Sequence, residues 1–248
     1  MCTVSSWLIF LILCGPLLVS RAALVPADLL PPVSTWHGES EALVAKRNDR
    51  WATPAEQTGL TDSTGYDETV RYLKQLAGAS RLLSLQEFGR SAQDRPLYVV
   101  IASKTRTFSP EAIRNAKKPT LLVQAGIHSG EIDGKDAGLM LLRDIVRGTK
   151  AKLLDNVTFL FVPIFNVDGH ERSSAWNRPN QRGPLNQGWR TTAQNLNLNR
   201  DYVKADAPEM QAMLRLLDQY MPTLYLDLHV TVAKDWQRDP RQLRKLGF

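Results

Sequence analysis

The sequence predicts an α/β fold with a mixed, largely parallel central sheet that is flanked by helices. Two observations carry this prediction. Residues 120–126 and 157–163 are short, nearly continuous apolar runs, the pattern of strands buried on both faces of a sheet. A segment with apolar residues at helical spacing lies between them, so strand, helix and strand form a βαβ unit with parallel strands.

Residues 1–22 are typical of a secretory signal, because an apolar run over residues 7–19 precedes the small-residue site Ser20-Arg21-Ala22. That run is shorter than the ~20 residues that cross a bilayer, so no stable membrane span is expected. We therefore predict a secreted or periplasmic protein, with an uncleaved anchor and lipidation of Cys14 as alternatives. Both cysteines, Cys2 and Cys14, lie in this segment, so any metal in the mature chain is bound by His and carboxylate.

Residues 23–54 are rich in Pro, Ser and charge and are predicted to form an extended leader, whereas residues 55–248 form one α/β domain. The domain opens with an amphipathic helix that ends near Gly78, because its apolar residues recur at helical spacing. They are Val70, Leu73 and Leu76. Residues 82–88 and 96–103 then predict two strands around a polar turn.

Two further helices are predicted from stripes of apolar residues. The first stripe follows residues 120–126 and the second precedes a strand at residues 223–230. The stripes are Ala137, Met140, Leu141 and Ile145, and then Met210, Met213, Leu214 and Leu217. A polar loop without clear periodicity runs from residues 166–169 to about residue 206, and loops of this length in compact domains are usually functional or disordered.

The formal net charge of +6 does not point to nucleic acid as a partner. Half of this excess lies in residues 230–248, a tail with neither strand alternation nor an apolar stripe. A basic stripe interleaved with aromatic residues, the usual footprint of nucleic-acid binding, does not run through the body of the sequence.

Three residues predict a metal site. His128 follows a buried parallel strand, Glu131 lies three residues later, and His229 ends a strand predicted to run parallel to the first. In open α/β sheets ligands bind at the carboxyl ends of strands, so these side chains are expected to converge. Two imidazoles and a carboxylate suit one zinc ion with a position left for water. The alternatives are a helix-capping Glu131 in a polar turn and a hydrogen-bonded core histidine.

The polar loop contributes Arg190, Asn199 and Arg200. A guanidinium binds a carboxylate through paired hydrogen bonds, and one beside a metal stabilises a developing oxyanion. The alternative is that these arginines are solvated and pair with Asp201 or Asp206.

Together the motifs resemble the zinc metallocarboxypeptidases of the carboxypeptidase A/B type. The resemblance covers about residues 67–229 and rests on residues 126–131, 166–169, 199–200 and 227–229. It implies a carboxypeptidase-like fold in which His128, Glu131 and His229 bind one Zn²⁺ ion. It further implies that Asn199 and Arg200 hold the terminal carboxylate of a peptide or protein, while Arg190 polarises the scissile carbonyl.

The sequence departs from the family pattern at several positions. Gly130 replaces an Arg of digestive members, and Asn197 replaces an Asp that orients the first histidine ligand, although its amide oxygen can still accept that hydrogen bond. The family implies further strands, helices and a general-base Glu after His229, and no residue after Val230 fits that Glu. The sequence therefore predicts a C-terminally truncated metallocarboxypeptidase, with an inactive zinc-binding pseudoenzyme or a related zinc amidohydrolase as alternatives.

Overall fold

The computed structural model describes residues 39–178, 181 and 183–230. The predicted signal, residues 23–38 of the predicted leader and the tail after Val230 lie outside these residues, so the predictions about them stay predictions. In the part of the chain that is described, no helix has the length and apolar character needed to cross a membrane.

The described residues form one five-stranded mixed sheet in the order β1-β2-β4-β3-β5. Strand β1 pairs antiparallel with β2, and β2 pairs antiparallel with β4, whereas β3 runs parallel to both β4 and β5. The strands are β1 (Leu83–Arg90), β2 (Pro96–Ala102), β3 (Thr120–Ala125), β4 (Thr158–Val162) and β5 (Leu224–Leu228). The α/β class and the mixed sheet are confirmed.

Six α-helices are present among the described residues: α1 (Pro54–Gln57), α2 (Tyr66–Ala79), α3 (Pro110–Asn115), α4 (Asp133–Val146), α5 (Val167–Glu171) and α6 (Pro208–Tyr220). Short 3-10 helices span Glu39–Leu43, Ala151–Asp155 and Leu198–Arg200. Helices α1, α3 and α5 have at most six residues, too few for a periodic apolar stripe to appear in the sequence.

Helices cover both faces of the sheet. Helices α2 and α4 pack on one face, where Leu73 and Leu142 lie in the same core cluster as Phe161 of β4. Helix α6 packs on the other face, where Met213 meets Leu160. Strand β4 is buried along its whole length, as expected of a central strand between two helical layers.

The buried stripe of α4 differs from the one predicted. The structure buries Leu139, Leu142 and Ile145 and leaves Ala137 exposed. The prediction is confirmed for Ile145, and Leu141 packs against the core, but it was wrong for Ala137 because Gly138 and Lys135 also face inward: the ring of Phe161 lies where a side chain at Gly138 would be. This rotates the buried face of the helix away from Ala137 and Met140.

The parallel pairing of β3 with β5 positions the candidate site. Gln124 pairs with Asp227 and Ala125 with Leu228, so both strands end at the same edge of the sheet. The turn after β3 carries His128, and the residue after Leu228 is His229. The shared edge predicted from the sequence is therefore confirmed.

Residues 43–57 are attached to the body through a buried ion pair. Glu56 accepts hydrogen bonds from Nη1 of Arg143 at 2.6 Å and from the backbone amides of Ala45 and Thr53. Arg143 also donates to the carbonyl of Leu43. Burial acts to raise the pKa of Glu56, but these hydrogen bonds and the Arg143 charge outweigh it and lower the pKa.

Candidate metal centre

The described residues contain one group of His, Cys, Asp and Glu side chains arranged to hold a metal ion: His128, Glu131 and His229. Each offers one ligand atom, and these atoms lie within 4.8 Å of one another. The two imidazole rings meet edge to face, with centroids 5.0 Å apart. The three predicted ligands therefore converge.

Asn197 orients the His128 ring. Nε2 of His128 lies 3.2 Å from Oδ1 of Asn197. The same oxygen accepts a hydrogen bond from the backbone amide of Asn199, so it acts here as an acceptor and Nε2 carries the proton. Nδ1 of a neutral His128 is therefore a lone pair, and it lies 3.3 Å from Oε1 of Glu131.

This geometry tests whether a metal ion fits. Nδ1 of His128 is buried without a hydrogen-bond partner in the described part of the chain, and it faces a carboxylate oxygen. Two acceptors this close repel each other unless a cation, either a proton or a metal ion, lies between them. Imidazole nitrogen and carboxylate oxygen are common zinc ligands, so the donor set fits zinc.

Glu131 is the electrostatic centre of the site. Its Oε1 accepts a hydrogen bond of 2.6 Å from Nη2 of Arg178, and its Oε2 accepts one of 3.3 Å from the amide of Val230. Burial acts to raise the pKa of this carboxyl, but the hydrogen bonds and charges of a protonated His128 and of Arg178 outweigh burial and lower the pKa. Glu131 is therefore ionised at neutral pH and available as a ligand.

His229 is the most accessible member of the set, with a side chain 35% exposed. Its Nδ1 lies 3.3 Å from Oδ2 of Asp227, and its Nε2 lies 3.1 Å from Nδ2 of Asn199. Asp227 therefore contacts His229 rather than His128. The reason is the strand alternation of β5, which places Asp227 and His229 on the same face.

The motif at residues 166–169 positions the loop that carries Arg190. The side chain of Asn166 caps α5 through the amide of Gly169 and donates to the carbonyl of Arg190 at 3.2 Å. A side chain on Gly169 would lie within 2.7 Å of the carbonyls of Trp189 and Thr191, so glycine is required at this position. The carbonyl of Asn166 also accepts a hydrogen bond from Oγ of Ser129, next to the ligands.

The structure brings the predicted arginines to the same region but to different depths. Nη1 of Arg190 lies 3.7 Å from Oε1 of Glu131, with its side chain 43% exposed. Burial and the positive charges of Arg178 and Arg200 lower the pKa of Arg190, while Glu131 acts to raise it. Arg200 is exposed and donates to the carbonyl of Asn199.

Arg178 is a site residue that the sequence reasoning missed. It is 6% exposed, and its contact with Glu131 is the shortest that this carboxylate makes with a side chain. A side chain on Gly130 would lie 2.5 Å from Cγ of Arg178, so the glycine leaves the space that Arg178 occupies. The sequence signal was the glycine itself, because a side chain at position 130 would exclude Arg178 from this position.

Comparisons with known proteins identify relatives of this chain. The family profile described as zinc carboxypeptidase matches residues 69–233. Carboxypeptidase 2 of Trichophyton rubrum is 26% identical over 184 residues, covering 71% of this chain and 31% of that protein. The GTPase Era of a Nocardioides species is 88% identical over 25 residues, which cover 10% of this chain and 8% of that protein.

Two solved structures share the fold. The metallo-carboxypeptidase from Burkholderia cenocepacia superposes with a TM-score of 0.53 at 22% identity, over 68% of this chain and 42% of that one. The carboxypeptidase A from Helicoverpa armigera gives a TM-score of 0.54 at 22% identity, over 68% of this chain and 46% of that one. The chain thus spans about a third of the fungal relative and less than half of either structure.

Proposed function

Because the chain belongs to the zinc carboxypeptidase family, whose members are hydrolases of peptide substrates, we propose that it hydrolyses C-terminal peptide bonds as a zinc-dependent metallocarboxypeptidase. The observation that carries the proposal is the convergence of His128, Glu131 and His229 beside a cluster of arginines. His128 would bind through Nδ1 and Glu131 through its carboxylate. When bound, zinc supplies a Lewis acid that polarises a carbonyl and activates water.

Three residues of this chain supply orientation and charge at the site. Asn197 holds His128 in the tautomer that leaves Nδ1 unprotonated. Arg190, partly exposed at the rim of the ligand set, is placed to donate hydrogen bonds to a carbonyl oxygen that gains negative charge. Arg178 lies deeper and keeps Glu131 ionised and fixed in position.

The free carboxylate of a peptide end is the substrate group that this charge arrangement favours. The positive charge of Arg200 acts to lower the pKa of Arg190, and Arg200 is exposed. A carboxylate bound by the guanidinium group of Arg200 forms charge-assisted, paired hydrogen bonds, whereas an amidated peptide end loses the charge. Asn199 contacts both Arg200 and His229, so the residues proposed to bind the terminal carboxylate lie next to the proposed metal site.

The test is hydrolysis by the purified full chain loaded with zinc. We expect release of the last residue from peptides with a free C-terminus, no release from the same peptides as C-terminal amides, and loss of activity in His229→Ala. Glu111→Gln, an exposed substitution on α3, is the matched control and retains activity.

Two results would contradict the proposal. Activity on N-acyl amino acids without activity on peptides would identify an amidohydrolase. Stoichiometric zinc binding through these ligands without turnover on either substrate class would identify a zinc-binding protein that is not an enzyme.

A further inference from the structure

Residues 197–202 contact side chains from both strands that lead to the metal site, and we refer to these residues as the bridging segment. Asn197 orients the first histidine of the site, and Nδ2 of Asn199 lies 3.1 Å from Nε2 of His229. The same segment carries the exposed Arg200. Its position therefore decides where the groups proposed to bind a terminal carboxylate lie relative to the metal site.

The hydroxyl of Tyr202 joins the bridging segment to β3 and to β5. It accepts a hydrogen bond of 3.0 Å from Nε2 of Gln124 in β3, and its oxygen lies 2.7 Å from the hydroxyl oxygen of Tyr225 in β5. Gln124 precedes His128 by four residues, and Tyr225 precedes His229 by four residues. One hydroxyl is therefore linked to both strands, at the same number of residues before each histidine.

The register of the sheet explains how these side chains meet. Gln124 pairs with Asp227, the residue two positions after Tyr225, so Gln124 and Tyr225 point to the same face of the sheet. Tyr225 packs against the core cluster on that face, and this cluster also contains Leu198 of the bridging segment. Strand alternation thus directs both polar groups toward the bridging segment.

The contact of Tyr202 with Gln124 is not needed to fill the core. Gln124 follows three apolar residues in β3 and is fully buried. Burying an amide costs free energy unless it forms hydrogen bonds, so an apolar residue at position 124 would serve packing alone better. The hydrogen bond to Tyr202 instead fixes an orientation, which an apolar contact does not do.

The two tyrosines do not act as general bases. Burial raises the pKa of both Tyr202 and Tyr225, and the negative charge of Asp227 acts in the same direction. Both hydroxyls therefore stay protonated at neutral pH and act through hydrogen bonds.

From this geometry we infer that Tyr202 is a positioning residue, whose hydroxyl sets the place of Asn199 and Arg200 relative to the metal site. A peptide held by its terminal carboxylate presents its scissile bond to the metal only if the two points lie at a fixed distance, and a small displacement is costly. The hydroxyl itself is occupied by Gln124 and Tyr225. The inference rests on the proposed function, because it takes Asn199 and Arg200 as the residues that bind the carboxylate.

The test is Tyr202→Phe, which removes the hydroxyl and keeps the ring. Calorimetry of the full chain loaded with zinc measures the binding of 3-phenylpropionate, a carboxylate with no bond to cleave, and of 3-phenylpropanamide as the uncharged control. We expect the variant to bind the carboxylate about three- to tenfold more weakly, the effect of one hydrogen bond, with no change for the amide. In hydrolysis, KM for a peptide with a free C-terminus should rise more than kcat falls.

Two further measurements follow the route of the effect. Zinc affinity should stay unchanged in Tyr202→Phe, because the ladder between β3 and β5 holds the strands that carry the histidines. In the background of Arg200→Ala, Tyr202→Phe should lose most of its effect on 3-phenylpropionate, since residues that act through one another are not additive. Full additivity, or an equal loss of zinc affinity, would overturn the inference.

Tyr220→Phe is the matched control. Its buried hydroxyl donates to Oε1 of Gln86 at 3.1 Å and to the carbonyl of Phe108 at 3.0 Å, and Gln86 lies in β1, at the opposite edge of the sheet from β5. This variant should lower the stability in urea but leave the affinity for 3-phenylpropionate unchanged. Tyr225→Phe keeps the contact with Gln124 and should weaken binding less than Tyr202→Phe, so it tests the inference if Tyr202→Phe does not fold.

The inference and the proposed peptidase activity can fail separately. Unchanged affinity for 3-phenylpropionate in Tyr202→Phe, or an equal loss in Tyr220→Phe, would overturn the inference even if the chain cleaves peptides. A chain that cleaves no peptide but binds 3-phenylpropionate through Arg200, and more weakly in Tyr202→Phe, would overturn the activity and support the position assigned to Tyr202.

Discussion

Oδ1 of Asn197 lies 3.2 Å from Nε2 of His128, which fixes the ring so that Nδ1 faces Glu131. An amide therefore occupies the place of the carboxylate that orients this histidine in digestive carboxypeptidases. Both groups accept the hydrogen bond, but the amide carries no full charge, so it increases the basicity of the imidazole less.

We expect Asn197→Ala to lower zinc affinity about 10- to 100-fold, because the ring loses its orientation. Asn197→Asp should raise the affinity above that of the unsubstituted chain, since a carboxylate increases the basicity of Nδ1. Competition with a chromophoric chelator measures both. Gln194→Ala, an exposed position in the same loop, is the control. Equal affinity in the Ala and Asp variants would contradict the assigned role.

Arg178→Met should destabilise the metal-free protein by about 3–5 kcal/mol, because it leaves the buried Glu131 carboxylate without its ion-pair partner. Zinc should recover part of this loss, since the ion supplies the missing positive charge. Urea unfolding with and without zinc measures the difference. If zinc stabilises the variant no more than it stabilises the unsubstituted chain, Glu131 is not a ligand.

Gly130→Ala should displace Arg178, because the added methyl group would lie 2.5 Å from Cγ of that side chain. Both stability and zinc affinity should fall. Gly78→Ala is the matched control, since a methyl group there meets no atom within 4 Å, and alanine in a helix is about 1 kcal/mol more favourable than glycine. Unchanged zinc affinity in Gly130→Ala would separate Arg178 from the metal site.

Arg190→Ala should lower kcat about 10²- to 10³-fold, the usual cost of losing one donor to a developing oxyanion, with a smaller effect on KM. Arg200→Ala should mainly raise KM for peptides with a free C-terminus, since it removes part of the carboxylate anchor. Steady-state kinetics on one peptide distinguishes the two. Arg215→Ala, an exposed arginine on α6, is the control. A large loss of kcat in Arg200→Ala together with a rise in KM alone in Arg190→Ala would contradict the two assigned roles.

The Glu56–Arg143 pair should make stability depend on pH. The pKa of Glu56 in the folded state is below its ordinary value of 4.5, so its contribution is present above pH 4.5 and is lost as the pH falls through the folded-state pKa. Urea unfolding at pH 7 and at decreasing pH below 4.5 should show this loss, and Glu56→Gln should reduce the dependence. A dependence of equal size in both proteins would assign the effect to other carboxyls.

Breaking the same pair from the other side should be costly at neutral pH. Arg143→Met is expected to destabilise the protein by about 3–5 kcal/mol, since it leaves the buried Glu56 unpaired. Arg147→Met, which removes an exposed pair with Asp49 at the end of the same helix, should cost less than about 1 kcal/mol. Similar losses in both variants would show that burial does not decide the cost.

The parts of the fold that the sequence predicted are those with regular periodicity. Strands β3 and β4 appear in the sequence as apolar runs, and α2 appears as leucines at helical spacing. Each of these elements is long enough to contain several buried residues in a regular pattern. The stripe of α4 was displaced because Lys135 and Gly138 face inward, and neither residue is apolar and large. A pattern based on hydrophobicity does not register a buried lysine that donates to a carbonyl.

By itself, the sequence determined the candidate ligands and their order along the chain, because His128, Glu131 and His229 each end or follow a strand whose apolar pattern is visible. The parallel direction of β3 and β5 then follows from the βαβ rule, and it placed the ligands at one edge. Only the tertiary structure decided that Arg178 fills the space above Gly130 and that Nδ2 of Asn199 lies 3.1 Å from Nε2 of His229. These relationships join side chains that are far apart in the chain, and their positions depend on packing and on individual hydrogen bonds, which leave no periodic signal in the sequence.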